Sequence, residues 1–458
     1  MRNRHKNISP NIPGPVGWPV IGSLPAFQQN LIHFWERIAK EYGGIAGYRI
    51  GAERHYLVSD PEFVAHIFQY DTQRYFKGKY QQLLKSALGE GLLISNDSQW
   101  RKSRQALQPL FRKDDVTRWF DIIIATTENL LDQWHREKRQ NQSVDIAADM
   151  ISLTQQIIAK ILFGRHLSYG TNQAMREAAT TTINNHLLQQ VMRKMLFGRL
   201  VDYLPFPGTH RYRKMVTLFH NTLSAFIEKA SNGDDHDAVI THLIKTQQSK
   251  GVAYLSNQQL HDELTTLFFA GHETTACALA WTFYYLTEYP DAANQVCEEV
   301  SHVITGQQPT YQEVMSLTYL RQVIEESMRL MPPVYGLGRR ARTDDTVGDW
   351  HLSAGSAVAI SPYVMHRHPA YWDAPEAFDP NRFSANQRQQ RPRYAYCPFG
   401  GGARSCIGMH LAMMEIITIV AMIIRRFHLR RPPQRHVSTQ LFITLRPREG
   451  VIVQVTPR

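Results

Sequence analysis

The decade Phe399-Gly400-Gly401-Gly402-Ala403-Arg404-Ser405-Cys406-Ile407-Gly408 concentrates the residue types that could do unusual chemistry in this 458-residue chain. It sets glycines and one arginine around a single cysteine, then runs straight into an apolar helical pattern of Leu411, Met414, Ile417, Val420 and Ile424. Glycine backbone can pass close to a flat ligand and adopt positive φ, so amide N–H groups can aim at the sulfur. The helix that begins there adds its positive end. Both effects favour the thiolate, and the Cys406 thiol is expected below its ordinary value of about 8.5. Arg404 is placed to meet an anionic group on the same ligand. Taken alone, the loop is also compatible with a buried structural cysteine in a glycine-rich turn. A zinc site built from Cys397, Cys406 and His410 is disfavoured, because structural zinc takes four ligands in two close pairs.

A second cluster lies in an apolar helical stretch, where Ala270-Gly271-His272-Glu273-Thr274-Thr275 puts two small residues beside an acid and two hydroxyls. It reads either as a packing notch with a back-bonded hydroxyl or as room for a flat cofactor with a proton donor beside it. Glu326 and Arg329, three apart, share a helix face and can pair. Trp100 and Arg104, four apart, also share a face.

The decade resembles the haem-binding signature of the cytochrome P450 family, Phe-x-x-Gly-x-Arg-x-Cys-x-Gly, with Phe399, Gly402, Arg404, Cys406 and Gly408 at the fixed positions. The 270–275 hexapeptide is similar to that family's oxygen-activation motif. Glu326-x-x-Arg329 followed by Phe378-Asp379-Pro380-Asn381-Arg382-Phe383 is similar to its Glu-x-x-Arg and Phe-x-Pro-x-Arg-Phe segments, although many members carry Glu where Asn381 stands. The resemblance spans Trp100 to Gly408 in the family's order, and a terminal hairpin extends it over nearly the whole chain. It implies a mainly α fold with small segregated β-sheets and a long central helix over the haem, in a single domain over residues 1–458.

For the site, the resemblance implies haem b held by the Cys406 thiolate and cradled by Trp100, Arg104, Ala270, Gly271, Arg340, Phe399, Gly400, Arg404 and Gly408. Glu273 and Thr274 become catalytic proton donors, and Glu326, Arg329 and Arg382 a structural charge network. His366 is a weaker candidate near the haem and reads better as a structural histidine. The implied activity is insertion of one atom of O2 into a hydrophobic small molecule such as a fatty acid, terpenoid or carotenoid. Leu267, Val334, Leu337 and Phe442 are expected in the substrate pocket, with the 183–196 stretch beside them. The chain continues only about fifty residues past Cys406 without a flavin or iron–sulfur segment, so electrons are expected from an acidic ferredoxin or flavodoxin with its NAD(P)H reductase, docked near Arg101, Lys102, Arg112, Lys113, Arg391 and Arg393. A haem-thiolate isomerase, dehydratase or peroxygenase, or a non-catalytic haem sensor, would use the same fold.

Composition agrees with an ordinary globular protein: 43% hydrophobic and 20% charged residues leave ample core. Four scattered cysteines, Cys277, Cys297, Cys397 and Cys406, are too few for a disulfide framework and suit a reducing compartment. The net charge of +11 favours an acidic partner or surface, but no aromatic stacking module argues for nucleic acid. With a polar start and a strap broken by prolines and glycines over residues 1–25, neither a signal peptide nor a membrane anchor is expected, and the expected location is cytoplasmic.

The elements that must position these residues follow from local signals. Leu31–Tyr42 has helical spacing ended by Gly43-Gly44, and Pro61 opens a short helix. Residues 45–50 and 55–58 read as a hairpin. A helical core is expected over about 99–331. In it, Ser256 with Gln259 forms a capping box opening a helix of roughly 33 residues, about 50 Å long, that ends before Pro290. Thr310 with Glu313 opens another that ends at Pro332-Pro333. Strands are expected at 347–352 and 356–360, and a final hairpin pairing 441–445 with 451–455.

Overall fold

The computed structural model describes residues 12–82, 84–136, 143–165, 209–231, 235–250, 254–432 and 437–458. The expected stretch 183–196 lies outside them. Local signals act as anticipated: Asn30 accepts from His33 N–H to start the Leu31–Tyr42 helix, and Gly43, at φ 81°, ends it. Asp60 caps the Pro61–Gln69 helix through the N–H groups of Glu62 and Phe63.

The organising element is the Asn257–Glu288 helix of 32 residues, opened by the Ser256–Gln259 capping box. Its apolar residues point all round, and it is buried on every side over most of its length, which is how a helix behaves in the middle of a large core. It packs most extensively against the Ile146–Phe163 helix. That second helix is the one among the described residues long and apolar enough to cross a membrane, yet 67% of it is buried inside the protein. The Thr318–Leu330 and Met409–Arg426 helices complete the core around the cysteine loop. Thr310 and Glu313 do form a capping box, but their helix stops at Ser316 and a new one begins at Thr318.

The strands are β1 (Ile45–Ile50), β2 (Glu53–Val58), β3 (Tyr75–Phe76), β4 (Ser143–Asp145), β5 (Leu337–Ala341), β6 (Asp345–Val347), β7 (Trp350–Leu352), β8 (Ala357–Ile360), β9 (Phe427–Arg430), β10 (Thr439–Leu441), β11 (Leu445–Pro447) and β12 (Ile452–Pro457). The largest sheet has the order β1-β2-β8-β5-β3 and joins the two ends of the chain. The N-terminal strap covers its β1 edge: Gly47 donates to Pro13 O at 2.8 Å and Ser23 to Arg49 O at 2.7 Å.

The expected final hairpin is not found. β10 pairs with β11, while β12 pairs with β4 on one side and β9 on the other. Alternation within 451–455 announces a strand but says nothing of its partner, and here one partner, β4, lies far away in sequence and the other, β9, lies before the β10–β11 pair. The strand expected at 347–352 is likewise broken at Gly348, φ 57°, into the β6–β7 hairpin.

Candidate active site

The cysteine loop is drawn tight by its own backbone: Cys406 N–H donates to Phe399 O at 2.9 Å and Ser405 N–H to Gly402 O at 3.2 Å. Gly402 has φ 65°, and a Cβ on it would stand 2.1 Å from the Phe68 carbonyl oxygen, so only glycine serves there. Gly400 also turns at positive φ, with Leu337 Cδ1 as its nearest neighbour, placing Leu337 beside the loop. Phe399 packs against the main apolar core.

Of the four cysteines Cys406 alone is exposed; Cys277 and Cys397 are buried and Cys297 half-buried. Burial by the surrounding walls nevertheless pushes its thiol up, against the N–H of Gly408 and the charge of Arg104, which pull it down. A side chain at the bottom of a recess is both reachable and crowded. Desolvation thus works against the N–H and the positive charge that the loop aims at this sulfur.

Behind the loop stands a network of buried charge. Arg329 donates from Nε and Nη2 to both Glu326 oxygens at 2.7 and 2.8 Å, with both side chains fully buried. Its remaining N–H groups reach the carbonyls of His366, Pro375 and Ala377. Asp379 N–H donates to Glu326, and Arg382 Nε stands 3.5 Å from the same carboxylate. Burial pushes the Glu326 carboxyl up while Arg329 opposes the shift. His366 Nε2 accepts from Cys397 N–H at 2.9 Å, which requires neutral imidazole, and burial holds it well below its ordinary value. It is thus a structural histidine that ties this network to the segment entering the cysteine loop.

Trp100 and Arg104 grip the loop from the Asp97–Leu107 helix. The Arg404 guanidinium lies 4.6 Å from the centre of the Trp100 ring, and Arg104 donates to Ser405 O at 2.9 Å. Arg404 also donates to Ser95 O and to Asn96 Oδ1, each at 3.1 Å, and burial lowers it to about 10.

Arg340 does not join this group. It pairs with Glu53 at 3.1 Å. Its neighbour Arg339, on the opposite face of β5 as strand alternation demands, is buried and grips both oxygens of Asp71, at 2.5 and 2.8 Å. Asp71 Oδ1 is also 3.9 Å from Arg404 Nε. Lys77 completes the cluster: it donates to the carbonyls of Leu92 and Leu93. Burial, followed by Arg404 and Arg339, pulls it well below an ordinary lysine. Arg339, Asp71 and Lys77 were not singled out in the sequence, where an arginine doublet and an isolated lysine carry no spacing that marks them.

On the central helix, Ala270 is exposed and Gly271 and Thr274 half-exposed, although nearly every neighbour is buried. Thr274 Oγ1 donates to Ala270 O at 2.7 Å. A Cβ at Gly271 would meet Ile158 at 2.9 Å, so this glycine also serves helix packing. Glu273 points elsewhere, accepting from Thr444 Oγ1 at 2.5 Å and from Arg446 Nε at 3.1 Å, with Arg446 Nη2 in ion-pair range at 2.7 Å. Cys277 contacts Thr444 from the same helix, and Trp281 Nε1 donates to Leu445 O. The β10–β11 hairpin is therefore pinned to the helix beside the acid. Leu267 is buried on that helix, Val334 is half-buried, and Phe442 is held by Tyr335 Oη, which donates to its carbonyl.

The cysteine recess, about 270 Å3, is lined by Arg104, Phe111, Arg112, Lys113, Met409 and His410 among others. Of the other expected docking cations, Arg391 is engaged elsewhere, stacked 3.9 Å from the Trp372 ring.

These residues fit a haem. A Cβ at Gly408 would meet no protein atom within 4 Å and its φ of −86° suits any residue, so a flat group against the backbone gives this glycine its reason. One exposed thiol supplies the ligand, and Arg339 and Arg404 around the single Asp71 carboxylate leave an excess of buried positive charge for carboxylates.

Residues 12–454 match the Cytochrome P450 family. The chain is a cytochrome P450. It is 30% identical to LUTEIN DEFICIENT 5, chloroplastic, of Arabidopsis thaliana, over 91% of this chain and 72% of that protein. To carotene epsilon-monooxygenase, chloroplastic, of the same plant, it is 26% identical over 91% of this chain and 80% of that one. The crystal structure of the cytochrome P450DA haem domain superposes with a TM-score of 0.85 at 24% identity, covering 98% of each chain. The cytochrome P450 fold and the monooxygenase class are thereby established, and the family's haem with its cysteine thiolate goes with them.

Proposed function

We propose that this cytochrome P450 holds haem b through Cys406 and hydroxylates or epoxidises a hydrophobic substrate of carotenoid or related isoprenoid type, with O2 and with electrons from a separate acidic ferredoxin or flavodoxin. The observation that carries the reading is the exposed Cys406 thiol at the floor of a recess whose rim is Arg104, Arg112 and Lys113. When bound, thiolate-ligated haem supplies oxygen activation. The chain's own residues do the rest. The cluster of Lys77, Arg339 and Arg404 receives the haem carboxylates, and the basic rim attracts an acidic donor. Thr274 and Glu273 bring protons to the distal side, which requires Glu273 to loosen from Thr444 or Arg446. The substrate class rests on the names of two relatives, which refer to lutein and carotene, and on the apolar Leu267, Val334, Leu337 and Phe442.

The test is the absorption spectrum of the reduced, carbon-monoxide-treated protein. Cys406→Ala is expected to abolish the thiolate-type band, and a sulfur-bound pigment persisting in that variant would overturn the assignment. Titrating the ferric protein with carotenoids, smaller terpenoids and fatty acids ranks substrates by their spectral shift; no response to any isoprenoid would discard that class. Arg112→Gln with Lys113→Gln is expected to slow reduction by an acidic ferredoxin about ten-fold at low salt, with the difference fading at high salt.

A further inference from the structure

We propose that Glu263 is a positioning residue: by gripping the backbone of Leu92 it sets the Leu93 side chain as an apolar wall of the substrate site. The inference rests on haem held at Cys406, which the carbon-monoxide spectrum tests separately.

Residues 88–95 cross from the central helix to the cysteine loop. Thr266 Oγ1, one turn before Ala270, donates to Leu88 O at 3.4 Å. Asp262 accepts from Glu90 N–H at 2.8 Å, and Glu263 from Leu92 N–H at 2.9 Å. At the far end Arg404 donates to Ser95 O at 3.1 Å. The segment is pressed directly onto the helix: a Cβ at Gly89 would stand 2.2 Å from the Asp262 carboxylate, and one at Gly91 2.3 Å from Thr266 Oγ1. It thus spans the gap between the helix that carries Ala270 and the loop that carries Cys406.

Within this segment Leu93 is 39% exposed, while Leu92 and Ile94 on either side are buried. An exposed leucine by itself needs no explanation, but this one is fixed from both directions. Lys77 Nζ donates to the carbonyls of Leu92 and Leu93, and Gln82 Nε2 to that of Ile94 at 3.3 Å. Leu92 is therefore held at both backbone groups, its N–H by Glu263 and its C=O by Lys77, and that decides where the next side chain points. An apolar wall ordered in advance costs a ligand less on binding than one that must be ordered by it.

Glu263 itself is 1% exposed, and a carboxyl buried so deeply is costly unless its oxygens are satisfied. They are met by Leu92 N–H and by the Ser103 hydroxyl of the Asp97–Leu107 helix. A helix position that needed only packing would be served by an apolar residue. The acid is accounted for by what it joins: the central helix, the 88–95 segment and the helix that carries Trp100 and Arg104.

The experiment follows the haem absorption band while the ferric, haem-loaded protein is titrated with imidazole and with 4-phenylimidazole. Both ligate iron through the same kind of nitrogen, and only the second carries an apolar group to the walls of the site. Glu263→Ala is expected to weaken 4-phenylimidazole about ten-fold, the equivalent of one buried hydrogen bond, and imidazole by less than about two-fold. Glu263→Gln keeps an acceptor for Leu92 N–H and is expected to restore wild-type affinity. In the wild type, the amides of residues 88–95 should exchange with deuterium more slowly when 4-phenylimidazole is bound, and not when imidazole is. Equal weakening of both ligands, unchanged affinity for both, or Glu263→Gln behaving as Glu263→Ala would overturn the proposal and leave Glu263 as scaffold. Should Glu263→Ala fail to fold, wild-type exchange indifferent to the phenyl group overturns it equally. No response to imidazole in any variant would sink the haem assignment and this inference with it, whereas a response with all variants alike sinks the inference alone.

Discussion

Two of the molecule's glutamate–arginine pairs, one behind the cysteine loop and one on the central helix, are built for different ends. Glu326–Arg329 is fully buried, bidentate, and locked to the carbonyls of His366, Pro375 and Ala377 from a separate segment. Glu273–Arg446 meets through one carboxylate oxygen, which it shares with Thr444, and Arg446 keeps 13% of its side chain exposed. The first pair has no way to relax without leaving several polar groups unmet, so it behaves as part of the scaffold. The second joins the central helix to a short hairpin at the edge of the site, next to the half-exposed Thr274. The same chemical pair thus serves the scaffold or the edge of the site according to the elements it joins.

The largest test of this contrast is Arg329→Met. It leaves Glu326 buried without its partner, which costs about 3–5 kcal/mol, and it frees the segment that His366 ties to the cysteine loop. We expect little folded, haem-containing protein, read from thermal melting and haem content. A variant melting within a degree of wild type would remove the distinction.

Next in size is an acid with no arginine beside it. Glu263, on the central helix, accepts from Leu92 N–H at 2.9 Å, and burial pushes it up to about 7, opposed by hydrogen bonds from Ser103 and Leu92. Its folded value lies above the unfolded one, so the proton it takes up stabilises the fold. That contribution is complete below about pH 4.5 and disappears as pH rises through about 7. Each pH unit of separation is worth about 1.4 kcal/mol, giving roughly 3 kcal/mol in all. Glu263→Gln should flatten the dependence of unfolding free energy on pH across this window and melt higher than wild type at pH 8; an unchanged pH profile would show that Glu263 stays ionised.

The smallest stability effect belongs to Arg446→Met, about 2 kcal/mol, because Thr444 and incoming water remain for Glu273. Its effect should appear instead in the fraction of electrons recovered in product and in the pH–rate profile. If it melts as severely as Arg329→Met, the second pair is also scaffold.

Much of this was legible from local pattern. Capping boxes and glycine stops act within a few residues, so the 31–42 and 257–288 helices were readable nearly to their ends. The cysteine decade and the Glu-x-x-Arg spacing were readable because backbone turns and helix faces are properties of adjacent residues. The pairing of β12 with β4, some 300 positions apart, was not, since a strand's alternation is indifferent to its neighbour.

Sequence alone therefore determined which thiol stands in a glycine loop, which helix runs through the core and which acid and arginine share a helix face. Only tertiary structure decided that Arg339 rather than Arg340 turns toward Asp71, that Glu273 leans on Arg446, and that desolvation raises the Cys406 thiol. Periodicity specifies which residues share a face, whereas the partner that face meets, and the dielectric around it, depend on segments brought together only by folding.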